Sequence, residues 1–242
     1  MNNWRYAFEI SKLELEKSIY NILLAYLVTG LFMAVFITQL PSYLEEGTAF
    51  IDFLFLTVFG LSPLIPKPKS FETQHINYRF IASPMVVMQQ HLAISHDTII
   101  KSRLIIHSIY TFPVQLIGLI AIYFATPLYS ILSVGSFISF VAMWLSLSFL
   151  SGYLVPRLSL GVRGFWVSNS GLSIILIILC VLLFFFIIMV HSLSGHGIVY
   201  WSIMIAKELP ILVTGVSIIL IIISYILWNS KMKKVLNTIS YS

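Results

Sequence analysis

A run of twenty residues without a charged side chain, Gly171 to Val190, constrains the fold more than any other feature of the sequence. A helix of about twenty apolar residues crosses the ~30 Å hydrocarbon core of a bilayer. The run is not an isolated anchor, because hydrophobic residues make up 59% of the 242-residue chain and charged residues only 10%. That composition lies outside the range of soluble domains. The sequence therefore predicts an integral, all-α membrane protein.

Six apolar runs suit transmembrane helices, although the second is short and carries Asp52 near its start. A carboxylate costs ~3 kcal/mol at the centre of a membrane helix and less at the interface. We therefore expect Asp52 at the outer membrane edge, where it is solvated or caps a helix. The first run is expected to end at Pro41. The six predicted spans, which with their loops form one transmembrane domain over residues 19–242, cover residues 19–39, 49–65, 104–124, 128–151, 171–190 and 209–228.

Basic residues are shared unequally between the two sides of this topology. Every Lys and Arg except Lys207 falls on the side that holds both termini. Because cytoplasmic loops carry the excess of Lys and Arg, we expect both termini in the cytoplasm, together with the loops at residues 66–103 and 152–170. The first of these loops carries too much charge for the bilayer, so it is expected to lie outside the hydrocarbon.

Two segments each allow two interpretations. In residues 1–18, Trp4, Phe8 and Leu15 stand among charged residues, which is typical of an amphipathic helix that lies along the membrane. A cytoplasmic extension of the first span fits the same pattern. Residues 191–208 form an outer loop that is apolar enough to dip back into the membrane as a re-entrant or interfacial helix, or they form a plain loop.

Small polar residues recur at steps of three and four in the fourth span, and others start the fifth. Such steps place side chains on one side of a helix. A face of small residues lets helices pack closely, or it lines a substrate path between them. The serines are Ser133, Ser136, Ser139 and Ser146, with the small residue Ala142 completing the steps in the fourth span, and Asn169 lies just before the fifth.

No motif in the sequence points to catalysis or to a cofactor. The chain lacks GxxxxGK[ST], the phosphate-binding loop of many ATPases, and it lacks the HExxH helix of zinc proteases. Its one cysteine, Cys180, lies within an apolar run and is interpreted as a small buried hydrophobe. We therefore expect no enzyme activity, no cofactor or metal in this chain, and no nucleic-acid partner.

A polar and basic segment, LAISHDTIIKSR at residues 92–103, leads directly into the third span. Ser95 or Asp97 is suited to cap a short helix or turn there. Basic residues at the start of a span anchor it at the inner headgroups, and a plain anchor of this kind is the simplest interpretation. The expected apolar face is Ile94, Ile99 and Ile100, and the expected anchors are Lys101 and Arg103.

This segment resembles a motif that precedes the third span in permeases of type-two ATP-binding-cassette exporters, LPIS(R/K)xxI(V/L)xS(R/K). Ala93 stands where the family often has proline, and His96 and Asp97 stand in place of a basic pair. Six spans, cytoplasmic termini and a long loop between spans two and three also fit, so the resemblance covers nearly the whole chain. The matching residues are Leu92, Ile94, Ser95, Ile99, Ser102 and Arg103.

The resemblance implies the permease subunit of an exporter in the bacterial cytoplasmic membrane. Two permease subunits, identical or different, would form the path for an amphipathic substrate such as a peptide, a lipid or a drug. Separate ATPase subunits would bind ATP and Mg and dock on a cytoplasmic coupling segment between spans two and three. The implied coupling residues are Arg79, Met85, Val86, Met88, Leu92, Ile94, Ser95, His96 and Asp97, with Arg157 and Arg163 in a second contact at residues 153–166.

Two functions from other classes remain open on the sequence. One is a non-transporting immunity or sensor protein that binds an antimicrobial peptide, which predicts a function that needs no ATP hydrolysis. The other is an intramembrane enzyme acting on a lipid or a peptide, which predicts that single substitutions of Asp52, His191 or Glu208 abolish activity while assembly survives.

Overall fold

The computed structural model describes residues 3–61, 74–77, 80–92, 94–152, 160–163 and 169–238. This part of the chain is helical apart from one small sheet. The helices are α1 (Asn3–Lys17), α2 (Ile19–Glu46), α3 (Ala49–Leu61), α4 (Pro84–His91), α5 (His96–Ala125), α6 (Leu128–Ile131), α7 (Val134–Ser151), α8 (Asn169–Ser194), α9 (Ile198–Glu208) and α10 (Pro210–Thr238), and the strands are β1 (Gln74–Asn77), β2 (Phe80–Ala82) and β3 (Val162–Arg163).

Five helices are long and apolar enough to cross a membrane: α2, α5, α7, α8 and α10. The prediction of an all-α membrane protein with several spans is therefore confirmed. Helix α3 corresponds to the second predicted span, but it is a shorter apolar helix, and residues 62–65 lie outside the described residues. The count of six spans and the cytoplasmic side of the termini stay predictions.

Helix α2 does not end at Pro41 but continues to Glu46. Proline inside a helix removes one backbone hydrogen bond. Leu40 and Tyr43, on either side of the proline, are buried in the core, and this packing holds the last turns in place. Gly47 ends the helix with φ of 68°, a left-handed conformation that favours glycine, and its N–H donates to the carbonyl of Tyr43 at 2.8 Å.

Helix α5 is longer than the predicted third span, because it begins at His96 instead of residue 104. The Ser95 side chain accepts a hydrogen bond from the Thr98 N–H at 3.4 Å, which is the arrangement of a helix N-cap. Of the two predicted caps, Ser95 is thus confirmed. The segment at residues 96–103 belongs to the same continuous helix as the span, so a force on this segment acts directly on the span.

The fourth predicted span, residues 128–151, is two helices. Helix α6 ends at Ile131, and α7 begins at Val134 after an extended link at Leu132 and Ser133. The break leaves backbone groups without helical partners. The Tyr123 hydroxyl donates to the Leu132 carbonyl at 3.1 Å, and the Ser133 hydroxyl accepts from the Ser136 N–H at 3.2 Å.

Aromatic rings join α2, α3 and α7 in the largest buried cluster. Phe55 of α3 lies 4.7 Å from Phe36 of α2 and 4.5 Å from Trp144 of α7, measured between ring centroids. Such pairs contribute about 1 kcal/mol each beyond the area that they bury. Phe59 continues the stack with its centroid 5.0 Å from that of Phe55. This cluster fixes α3 against the longer helices around it.

A three-stranded antiparallel sheet joins the two long loops that the sequence places on one side. Strand β1 pairs with β2, with His75 opposite Ile81, and β2 pairs with β3, with Phe80 opposite Arg163. No strand was expected here. The sheet connects the loop at residues 66–103 to the loop at residues 152–170.

Residues 191–208 contain the helix α9, so the plain-loop interpretation of this segment is wrong. Val199, Ile203 and Ala206 are buried on one side of α9, whereas Trp201 and Ile205 are exposed on the other. The helix contacts α3, α7, α8 and α10. The helix therefore packs against the end of the bundle through its buried side. Whether it enters the bilayer stays a prediction.

Candidate functional site

The coupling residues implied by the resemblance that the structure describes lie on what we call the platform, which consists of α4 with Leu92, the three-stranded sheet and residues 94–103. Strand pairing between β2 and β3 brings the two loops proposed as ATPase contacts onto one structure. Helix α4 begins with Pro84 at a position where a missing N–H costs nothing. It follows β2 after one residue, Ser83, so the sheet and the helix form a continuous unit.

The two sides of α4 have different surroundings. Met88 is 48% exposed and Leu92, just after the helix, is 63% exposed, whereas Val86 is 0% exposed. Val86 packs within the chain in a cluster with Ile99 and Ile100 of α5. The expectation that Val86 contacts a partner is therefore wrong. Met88 and Leu92 remain accessible to a partner, and Met85 is half-buried.

The apolar side chains at the start of α5 also point inward. Ile99 and Ile100 are buried, and Ile94 packs partly against the same cluster. The cluster includes Trp228 and Met232 near the end of α10. The expected apolar face is thus real, but it is covered by this chain's own helices. Its function is to join α4, α5 and α10.

Asp97 binds the last helix to the platform. Its Oδ1 lies 2.8 Å from Nζ of Lys233 in α10, and both side chains are partly exposed. An ion pair at this exposure contributes little stability, but it sets where α10 ends relative to α5. His96 beside it is half-buried, and Ser95 is committed to the helix cap.

Arg103 forms a buried ion pair with Glu14 of α1. The Nη1 atom of Arg103 lies 2.8 Å from Oε2 of Glu14, and the two side chains are 1% and 0% exposed. The prediction that Arg103 anchors at the headgroups is therefore wrong, because a residue of the N-terminal helix covers it. Ser11 lies at the same contact, since its hydroxyl is 2.7 Å from the Ala7 carbonyl of its own helix and 3.2 Å from the Ser102 carbonyl of α5. Lys101 remains at the surface, with Nζ 5.1 Å from the ring centroid of Trp4.

The N-terminal helix is thus docked along α5 through a small and polar face. Ala7, Ser11 and Glu14 are buried there, while Trp4 and Phe8 are exposed. The helical prediction for residues 1–18 is correct for the described residues. The exposed aromatic residues fit an amphipathic helix whose other flank lies along the membrane.

No family model, no curated protein and no solved structure matches this chain. Its own geometry is therefore the basis for inferring its function.

Some predicted residues cannot be placed. Arg79 and Arg157 lie outside the described residues, Arg163 is described only as part of β3, and Asn169 only as the first residue of α8.

The fourth-span serines divide into two groups. Ser133 and Ser136 form the cap of α7.

Ser139 and Ser146 lie on the packed side of α7. The Ser139 hydroxyl lies 2.8 Å from the Pro210 carbonyl and 2.9 Å from the Thr214 hydroxyl, both in α10. Ser146 is buried, and its hydroxyl donates to the Met143 carbonyl of its own helix. These distances show that Ser139 packs α7 against α10. Helix packing was one of the two functions that the sequence allowed for this row of serines.

A second polar cluster lies at the opposite end of the bundle, around Asp52. Its Oδ1 accepts hydrogen bonds from the Tyr43 hydroxyl at 2.8 Å and the Val199 N–H at 2.7 Å. Its Oδ2 lies 2.6 Å from Nε2 of His191. The Asp52 side chain is 0% exposed, so the solvated interpretation is wrong. The capping interpretation is correct in an unexpected form, because the helix that Asp52 caps is α9.

This cluster brings together two of the residues named for an intramembrane enzyme, Asp52 and His191, but not Glu208, which is exposed at the far end of α9. The Oδ1 atom of Asp52 already accepts two hydrogen bonds from this chain, and Oδ2 is hydrogen-bonded to His191. A general base needs a lone pair directed at substrate. Among the described residues, no group of three or more His, Cys, Asp or Glu side chains is arranged to hold a metal ion.

Proposed function

We propose that the chain is a permease subunit of an ATP-driven exporter in a bacterial cytoplasmic membrane. With a second permease subunit, identical or different, it would form the path for an amphipathic peptide, lipid or drug. Separate ATPase subunits would bind ATP and Mg and would dock on the platform. The observation that supports this proposal best is the exposed pair of Met88, on the short helix α4, and Leu92, between that helix and the helix of a candidate membrane span.

The contacts of the platform support a coupling function. An exposed methionine and leucine on one side of α4 offer an apolar anchor for a partner. On the other side, Val86 connects α4 to α5 through the buried cluster. A partner that moves α4 would therefore move α5, α10 and, through Glu14, the N-terminal helix. Rigid-body motion of packed helices is a common route between two conformational states.

Acidic substitutions at the exposed pair test the proposal. We expect Met88→Glu and Leu92→Glu together to reduce co-purification of the ATPase subunit, recognised by its GxxxxGK[ST] sequence, by at least tenfold. The physical reason is that a carboxylate buried in an apolar contact pays its desolvation cost without compensation. Membrane insertion should be unchanged, since both side chains already lie at the surface. The measurement is quantitative mass spectrometry of the purified complex.

Leu193→Glu is the matched control, because Leu193 is 79% exposed at the opposite end of the bundle. It should leave the amount of bound ATPase at the wild-type level. Equal ATPase recovery with Met88→Glu/Leu92→Glu and with the wild type would remove the docking assignment and with it the main support for the exporter.

A further inference from the structure

An apolar groove opens on the side of the bundle between α5, α7 and α10. Its volume is about 510 Å³. All the side chains that line it are apolar, so water in it would lack hydrogen-bond partners, and an apolar occupant is favoured. The lining residues are Phe112, Pro113, Leu116, Leu145, Phe149 and Ile221.

Aromatic rings lie at one end of this groove. Phe149 stacks on Trp228 of α10 with ring centroids 4.8 Å apart and planes at 8°, and it lies 6.0 Å from Phe112 of α5. These rings lie toward the end of the bundle that holds the platform, because α7 and α10 both finish there. The groove therefore extends from these rings toward the opposite end of the bundle.

A basic residue lies on the same side of α5 as the groove. Lys101, Ile105, Ser108 and Phe112 follow one another at i, i+4, i+7 and i+11, a spacing that aligns side chains along one stripe of a helix. All four are half-buried, so the stripe runs along the edge of the packed bundle. At 1.5 Å per residue, Lys101 is displaced from Phe112 by roughly 16 Å along the helix axis.

The surroundings of Lys101 are typical of a membrane interface on a basic surface. Trp4 stands against its ammonium group at 5.1 Å, and tryptophan is enriched at headgroup depth. One turn earlier on α5, Asp97 pairs with Lys233 at 2.8 Å. Two lysines and one aspartate leave this surface with a net positive charge, which attracts anionic headgroups.

We propose that this groove binds an acyl chain of an anionic phospholipid whose phosphate lies against Lys101. The apolar lining accepts the hydrocarbon, and the stripe from Phe112 to Lys101 guides it to the charged surface at headgroup depth. A neutral phospholipid would place the same chain in the groove without the favourable charge contact, so the site discriminates between headgroups. This inference does not depend on the proposed exporter function.

Lipid retention by defined variants tests the site. The purified protein is equilibrated in detergent with phosphatidylglycerol or with phosphatidylcholine, and native mass spectrometry counts the lipids bound per chain. We expect the wild type to bind phosphatidylglycerol more tightly. Leu116→Trp and Leu145→Trp each fill the groove and should remove binding of both lipids. Lys101→Gln should weaken phosphatidylglycerol binding about fivefold and leave phosphatidylcholine binding unchanged, as expected for the loss of one lysine near an anionic surface.

The controls are Leu182→Trp on the exposed face of α8 and Lys231→Gln at an exposed lysine of α10. Both should bind lipid as the wild type does. Unchanged binding in both groove-filling variants, confirmed as folded by wild-type melting temperatures, would overturn the groove as the site. An unchanged preference for phosphatidylglycerol in Lys101→Gln would overturn the assignment of the phosphate to Lys101.

Discussion

Arg103→Met should destabilise the protein by about 3 to 5 kcal/mol, among the largest effects expected for a single substitution in this chain. The substitution leaves the Glu14 carboxylate buried without the guanidinium that lies 2.8 Å from it. Removing one member of a buried ion pair costs more than the pair itself contributes, because the remaining charge is desolvated. The free energy of unfolding from denaturant titration in detergent micelles measures the effect.

Two controls distinguish the loss of charge compensation from a general sensitivity of the α1–α5 contact to substitution. The double variant Glu14→Leu/Arg103→Met replaces both charges by apolar groups and should recover most of the lost stability. Lys12→Gln breaks an exposed pair on the same helix, Lys12 with Glu16 at 3.6 Å, and should change stability little. A double variant that is less stable than Arg103→Met alone would show that the charges do not compensate one another.

Gly197→Ala should destabilise the opposite end of the bundle by about 3 kcal/mol. A Cβ atom at this position would overlap Oδ2 of Asp52 and the hydroxyl oxygen of Tyr43. To relieve that overlap, the carboxylate must move away from the Val199 N–H or from His191, and a buried donor then lacks its acceptor. Thermal unfolding in detergent measures the loss.

Gly30→Ala is the matched control for Gly197→Ala, because no atom lies within 4 Å of the added Cβ. Gly30 is inside α2, where alanine favours the helix over glycine, so this variant should be as stable as the wild type or more stable. If Gly197→Ala also kept wild-type stability, the close approach of α9 to Asp52 would not exist.

The membrane-spanning helices were largely predictable because each depends on local sequence. About twenty apolar residues in a row are a sufficient signal for a span, and Ser95 is a recognisable cap. The exceptions are also informative. Pro41 continues a helix because buried neighbours outweigh one missing hydrogen bond, and the break near Ser133 lies inside a run that was predicted as one span.

The polar contacts were not predictable because their partners lie far apart in the sequence. Arg103 stands in a basic segment and resembles a headgroup anchor, and only the docking of α1 shows that Glu14 covers it. Asp52 and His191 meet across 139 residues. A signal existed for each, since a charged residue within or beside an apolar run needs a partner, but the sequence does not say which one.

The burial of side chains on the platform was also not predictable, because it too depends on distant parts of the chain. The family resemblance implied apolar contacts at Met85, Val86 and Met88 and treated Val86 and Met88 alike. They differ only because α5 and α10 cover one side of α4. The sheet was missed because its strands have two to four residues, too few for a periodic pattern.

Site-specific photo-crosslinking from Leu92 tests the central claim, that an ATPase docks on the platform, most directly. A photoreactive amino acid replaces Leu92 in one strain and Leu193 in another, and adducts formed in intact cells are identified by mass spectrometry. The proposed function predicts an adduct from position 92 to a protein that contains GxxxxGK[ST], and none to that protein from position 193. Adducts from position 92 only to lipid or to unrelated proteins, at full crosslinker incorporation, would contradict it.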